Sequence, residues 1–256
     1  MKLILLACPH GDPSFLKIPL QEIDAVLIAG DLGKADKARA LRMKYPDASD
    51  LSEKASKEEL QEMIEENVSS AESILKHFSQ KPTYWISGNA DESDGGVEEK
   101  NITHGLKIKP LGKRVTSKNV LNIDLKKIKI GDLTIAGVPY FVATNWLKEF
   151  LGTETHRSPE EKDAEEKAKE FVFELEKVDV LLCHNPPYGH LDFVDNPIVP
   201  KNWNKKHAGS KIVLDYIIKR QPKYAVFGHI HEAKGESKIG NTELINTACS
   251  WKVLEI

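Results

Sequence analysis

A chain of 256 residues with 40% hydrophobic and 29% charged side chains can bury a sizeable core and is unlike a disordered sequence. Its formal net charge of −3 argues against a duplex-coating or polybasic membrane-binding protein, so neither duplex nucleic acid nor a membrane is an expected partner. The three cysteines, Cys8, Cys183 and Cys249, lie far apart without CxxC pairing, which excludes a disulfide framework and fits a reducing cytoplasm.

The opening MKLILLAC looks superficially like a lipoprotein leader. Leu3 to Ala7 is too short for a secretory apolar region, and Pro9-His10-Gly11 follow at once. Lys2–Ala7 therefore reads as the first of a series of strands, followed by Ala25–Ala29. No apolar run approaches the roughly 20 residues needed to span a bilayer. Ser56-Lys57-Glu58-Glu59 is a capping box. Behind it Leu60, Met63, Ile64, Val68, Ala71, Ile74, Leu75 and Phe78 recur at helical spacing as far as Lys81-Pro82. Strands are expected at Thr83–Ser87 and Leu133–Val138. Ser158-Pro159-Glu160-Glu161 starts a second helix, with Pro159 at the tolerated first position and Ala164, Ala168, Phe171, Val172 and Leu175 as its stripe. The Val178–Cys183 strand leads into a polar insertion at about 190–209. A third helix runs from Ser210 to about Arg220, with Val213, Leu214, Ile217 and Ile218 inward. Strands at Tyr224–Phe227, Glu243–Asn246 and Trp251–Ile256 close the chain. Several strands are apolar on successive residues, as strands covered on both faces should be. The alternation implies an α/β sandwich, and no linker divides residues 1–256 into more than one domain.

Polar residues gather just past the strand ends, where α/β folds place their sites. Cys8-Pro9-His10-Gly11 follows the first strand, Gly30-Asp31 the second and Gly88-Asn89-Ala90-Asp91 the third. His184-Asn185-Pro186-Pro187 ends the Val178 strand, and Gly228-His229-Ile230-His231 the Tyr224 strand. Singly, each is what a turn would also contain. GHIH is stronger, because its two imidazoles should share one side of an extended segment. Five such ends in order point to a single rim carrying imidazole, carboxylate and amide groups. That mixed N/O set suits Zn, Fe, Mn or Ni and not a calcium cage.

The set resembles the calcineurin-like metallophosphoesterases, whose signature is D-x-H, G-D, G-N-H-D/E, H, G-H-x-H. The C-terminal third, with HNPPYG, HAGS and GHIHEAKG, is similar to the branch containing animal metallophosphoesterase-domain proteins. The resemblance implies a four-layer αββα sandwich and one or two divalent transition-metal ions. One ion would take Cys8, His10, Asp31 and His231; the other would take Asp31, Asn89, His184 and His229, with Asp31 bridging. It further implies hydrolysis of a small phosphorylated substrate, a phosphodiester or nucleotide, by a metal-activated hydroxide, with Asn89 also contacting substrate. Cys8 replaces the first-motif aspartate. A thiolate would favour Zn or Fe over Mg or Mn; alternatively Cys8 is a small buried filler. Ala90 replaces the histidine that assists the phosphate or leaving group. His207 is the replacement this resemblance offers, in catalysis and substrate binding, against a structural role. Lys201, Trp203, Lys205 and Lys206 could hold a nucleotide or form a solvated loop. A degenerate member serving as a non-catalytic binding scaffold is the rival reading.

Overall fold

The computed structural model describes residues 1–47, 50–152, 157–199 and 201–256; Pro200, within the expected insertion, lies outside them. The first strands are β1 (Lys2–Ala7), β2 (Ala25–Ile28), β3 (Thr83–Trp85), β4 (Val120–Asn122), β5 (Lys126–Ile130) and β6 (Leu133–Val138). Then come β7 (Val180–Cys183), β8 (Phe193–Val194), β9 (Lys206–His207), β10 (Tyr224–Phe227), β11 (Gly235–Ile239), β12 (Thr242–Asn246) and β13 (Ser250–Glu255). The helices are α1 (Asp36–Lys44), α2 (Lys57–Phe78), α3 (Asp94–Thr103), α4 (Leu111–Arg114), α5 (Thr144–Leu151), α6 (Pro159–Glu174) and α7 (Lys211–Arg220).

Alternation along β1 sets the layers. Ile4 and Leu6 pack with Ile64, Val68 and Leu75 of α2, while Leu3 and Leu5 join Val180, Leu182 and Val226 of the other sheet, as the two-residue period of a strand requires. One sheet has the order β13-β1-β2-β3-β4 and the other β11-β12-β10-β7-β6-β5. The β1–β4 run and the β12-β10-β7-β6 run are parallel, and β13, β11 and β5 add antiparallel edges. On the far face of the second sheet, Leu181, Cys183, Ala225 and Phe227 pack against Ala168 and Val172 of α6 and Val213 and Ile217 of α7. The layers are therefore helix, sheet, sheet, helix.

Both expected capping boxes form. Ser56 Oγ accepts from the Glu59 amide at 3.2 Å while the Glu59 carboxylate accepts from the Ser56 amide at 2.9 Å, and Ser158 and Glu161 do the same for α6. Removing such a cap costs about 1 kcal/mol. The whole α2 stripe is buried. In α7 the inward face is Val213, Tyr216 and Ile217, while Ile218 is 56% exposed. Ile218 lies about 100° round the helix from Ile217, so apolarity misled where phase decides. Strand β3 is shorter than expected because the Ser87 amide and hydroxyl both donate to Asp124, at 2.8 and 2.6 Å, and leave the ladder. Among the described residues no helix is long and apolar enough to cross a membrane.

Candidate metal centre

The parallel strands β1, β2, β3, β7 and β10 end at one edge of the sandwich, and the chain turns sharply there. Cys8, His10, Asp31 and His229 all have left-handed backbone, with φ of 51°, 44°, 56° and 69°. Each such non-glycine residue costs on the order of 1–2 kcal/mol, strain of the kind that collects at functional sites. Close approach also needs the flanking glycines. A Cβ on Gly88 would lie 2.2 Å from Asp31 Oδ1, and one on Gly30 would lie 2.5 Å from His184 Nδ1. The left-handed turn at His229 corrects the expected extended GHIH segment: it sends the two imidazoles to different neighbours.

Two donor groups result. In the first, the ligand atoms of Cys8, His10, Asp31 and His231 all lie within 4.8 Å of one another. His10 Nε2 is 3.4 Å from His231 Nε2 and 3.6 Å from Asp31 Oδ2. In the second, Asn89 Oδ1 is 3.0 Å from His184 Nε2 and 2.8 Å from His229 Nδ1. Asp31 Oδ2 also lies 3.5 Å from His184 Nε2, so one carboxylate oxygen belongs to both groups. Its other oxygen is fixed by the Ala90 amide at 2.7 Å. The structure thus brings together all seven residues expected from the strand ends.

The electrostatics fit a cation. Burial, then the charge of His184, brings His229 down to about 3, and burial, then His10, brings His231 down to about 4. Burial also lowers His10, outweighing Asp31. These rings are therefore neutral near pH 7 and present lone pairs. His184 Nδ1 donates to the Ala29 carbonyl at 2.7 Å, which turns its Nε2 to the site, the outer partner usual for a metal-binding histidine. Burial works against the charge of Asp31, but His184, His10 and the Ala90 amide outweigh it and keep the carboxyl below its ordinary range. Lone-pair atoms about 3.4 Å apart are what four ligands at roughly 2.1 Å from one ion present. Cys8 Sγ accepts the His229 amide at 3.2 Å, while burial and then Asp31 push its thiol well up.

Supporting residues were harder to foresee. Asp91 accepts from the amides of Asp31, Leu32, Gly33 and Gly88 at 2.7–3.2 Å, clamping two site loops together. Asn67, buried within α2, donates to the carbonyls of Lys34 and Ala90 at 2.9 and 2.7 Å and accepts from Glu92 at 3.1 Å. Tyr140 follows β6 and packs its ring against His184 and His229, with centroids 5.7 and 5.2 Å away. An aromatic just past a sixth strand end was its signal.

His207 stands apart from the seven. Its Nδ1 bonds buried Asp192 at 2.7 Å, its ring lies between Tyr188 and Phe193, and its side chain is 40% exposed. In the insertion, Lys205 pairs with Asp195, Lys206 donates to the Glu149 carbonyl, and Trp203 packs edge-on against Trp146. None of these lines the cavity of about 540 Å³ that opens beside His10, Asp31, Asn89, His229 and His231. Its outer wall comes instead from α1, α2, Lys100 of α3 and the adjoining loops.

An αββα sandwich whose strand ends gather Asp, Asn, Cys and His in this way is the arrangement of the metallophosphoesterase class. The Calcineurin-like phosphoesterase family matches residues 1–233, and the chain belongs to that family. It is 44% identical over 70 residues to UPF0046 protein T07D4.2 of Caenorhabditis elegans, covering 27% of this chain and 16% of that protein. It is 39% identical over 74 residues to human metallophosphoesterase domain-containing protein 1, covering 28% and 21% respectively. The matched segments thus span less than a quarter of the length of these two relatives. The fold is similar to that of the phosphopantetheinyl hydrolase of Mycobacterium tuberculosis, with a TM-score of 0.54 at 13% identity over 97% of this chain and 89% of that one.

Proposed function

We propose that this protein is a metal-dependent phosphoesterase acting on small phosphorylated compounds, phosphodiesters or nucleotides, in the cytoplasm. Residues 1–256 serve as one metallophosphoesterase domain, with 190–209 as an insertion. The observation that carries this reading is the shared Asp31 Oδ2, 3.6 Å from His10 and 3.5 Å from His184, which joins two donor groups into one centre. Cys8, His10, Asp31 and His231 would hold one divalent ion, and Asp31, Asn89, His184 and His229 a second. Such ions supply Lewis acidity toward phosphoryl oxygens and lower the pKa of a bound water.

The chain's own part is placement and proton handling. Asn89 turns its Oδ1 to the imidazoles, which leaves its Nδ2 for a phosphoryl oxygen. Asp192 accepts a hydrogen bond from His207 Nδ1, which leaves Nε2 open; because the ring does not line the cavity, a proton role for it rests on the family resemblance alone. Asp192 is itself fixed by the Gly189 and Gly209 amides at 2.9 Å.

The test is turnover of bis(4-nitrophenyl) phosphate by metal-reconstituted protein. Asp31→Asn should lower kcat/KM by at least about 10²-fold, as loss of charge at a bridging ligand implies. His207→Ala tests the role the resemblance gives that ring: a fall of about 10²-fold on an alkyl-leaving substrate would establish it, and an unchanged rate would assign His207 to the insertion. Undiminished turnover in Asp31→Asn at equal metal content would overturn the reading.

A further inference from the structure

The cavity beside the metal centre has a second chemical character, set by α1. Ala35, Ala38, Arg39 and Arg42 all line it. Their spacing of three, four and seven residues places them on one helical face. The two alanines leave space beside the two arginines. Lys34 and Lys100 line the same cavity. The acids on this outer wall are Asp50 and Glu92, and Glu92 is paired with Lys100 at 2.8 Å. Asp50 accepts from the Ser52 amide and feels the charges of Lys100 and Arg42. The other two acids lining the cavity, Asp31 and Asp91, lie at its inner end, where Asp31 belongs to the metal centre and Asp91 is held by four backbone amides, so the excess of positive charge is confined to the outer wall.

Arg39 lines the same cavity as His10 and His231. Among the described residues Arg39 pairs with Asp36 at 3.1 Å, with the Arg39 side chain 60% exposed, and exposed pairs of this kind hold little energy. Exchange of that partner for a ligand anion is therefore inexpensive. Guanidinium groups also match phosphate oxygens in a bidentate fork.

We infer that the α1 face, through Arg39 and Arg42, is a subsite for a second anionic group on the substrate, and that the protein prefers nucleoside di- or triphosphates to diesters with uncharged flanks. The assignment rests on the phosphoesterase reading, since it seats the scissile phosphate at the Asp31 end of the cavity. A volume near 540 Å³ is of the size that holds a nucleotide-sized molecule. Lys201, Lys205 and Lys206 of the polar insertion do not line this cavity.

The experiment measures affinity of metal-reconstituted protein for α,β-methylene-ADP by calorimetry, alongside turnover of bis(4-nitrophenyl) phosphate. Arg39→Gln with Arg42→Gln should weaken nucleotide binding at least tenfold. Lys167→Gln with Lys169→Gln removes the same charge from α6 and should change it less than twofold. Arg39→Lys with Arg42→Lys should recover part of the loss, which separates charge at this wall from a folding defect. Equal affinity in the wild type and the double glutamine variant would overturn the subsite; if diester turnover persists, the phosphoesterase reading stands without it. Absence of turnover in every protein, with the tenfold loss of nucleotide affinity, would overturn the phosphoesterase reading and uphold the anion-binding wall.

Discussion

At Cys8 a sulfur sits where the first family motif places a carboxylate, in surroundings that oppose a free thiolate: burial and the nearby Asp31 both push the thiol up. A metal bound there must displace the thiol proton, whereas His229 and His231, already neutral above about pH 4, release none. Zinc affinity of the wild type should therefore rise about tenfold per pH unit over roughly pH 5 to 8, and that slope should flatten in Cys8→Asp, with preference moving toward Mn. Identical slopes and preferences in the two proteins would show that the sulfur only packs. Ala90 carries a second test. Its position on the cavity wall gives an introduced imidazole room, so Ala90→His should raise kcat/KM more on alkoxide-leaving than on aryl substrates, by up to about 10²-fold. Asp91 will not orient that ring, because both its oxygens are taken by four backbone amides. Equal gains on both substrate classes would assign the new group to binding and not to leaving-group departure.

Along α2, the apolar stripe was legible because every member recurs at helical spacing, from Leu60 to Phe78. Asn67 was not, since an amide inside that stripe has no signal until its partners are seen. It joins the loops of Lys34 and of Ala90–Glu92 to one rigid helix. Asn67→Ala should lower the unfolding free energy by about 1–3 kcal/mol in a denaturant titration, because two loop carbonyls lose their donor. A change below a few tenths would mean that water replaces the amide. The same blindness hid α1. KADKARALRMK has Ala35, Ala38, Arg39 and Arg42 on one face, but nothing local says that this face looks into a cavity. GHIH was found by composition and misread in conformation, since His229 takes a left-handed φ beside Gly228, which packs closely on Ala7 and Cys8.

For the molecule as a whole, the long buried strands and the capped helices were readable because they repeat one period over many residues. The edge strands β4, β5 and β11 and the β8–β9 pair were not, being short or largely polar. The outer layer of the second sheet depends on a buried ion pair that periodicity does not show. Glu165 of α6 pairs with Arg157 and accepts from the Thr144 amide and hydroxyl at 2.7 and 2.6 Å. Burial opposes its charge, but Thr144 and Arg157 outweigh burial and keep its pKa below the ordinary value. A carboxyl lowered on folding stabilises above its unfolded pKa of about 4.3 and loses that contribution as pH falls through the folded value. Wild-type stability should thus drop more steeply than that of Glu165→Gln below about pH 4.5, and parallel curves would exclude the linkage. Glu165→Ala should cost about 3–5 kcal/mol at pH 7, as loss of one partner from a buried pair does. Above all these contributions stands the claim that seven side chains from five strand ends form a working metal centre. The direct measurement is bis(4-nitrophenyl) phosphate turnover of chelator-stripped protein as Zn, Fe or Mn is added back in equivalents per chain. The account predicts no turnover without metal and a rise that levels off near two equivalents; full binding of two ions with no turnover, or turnover in the stripped protein, would contradict it.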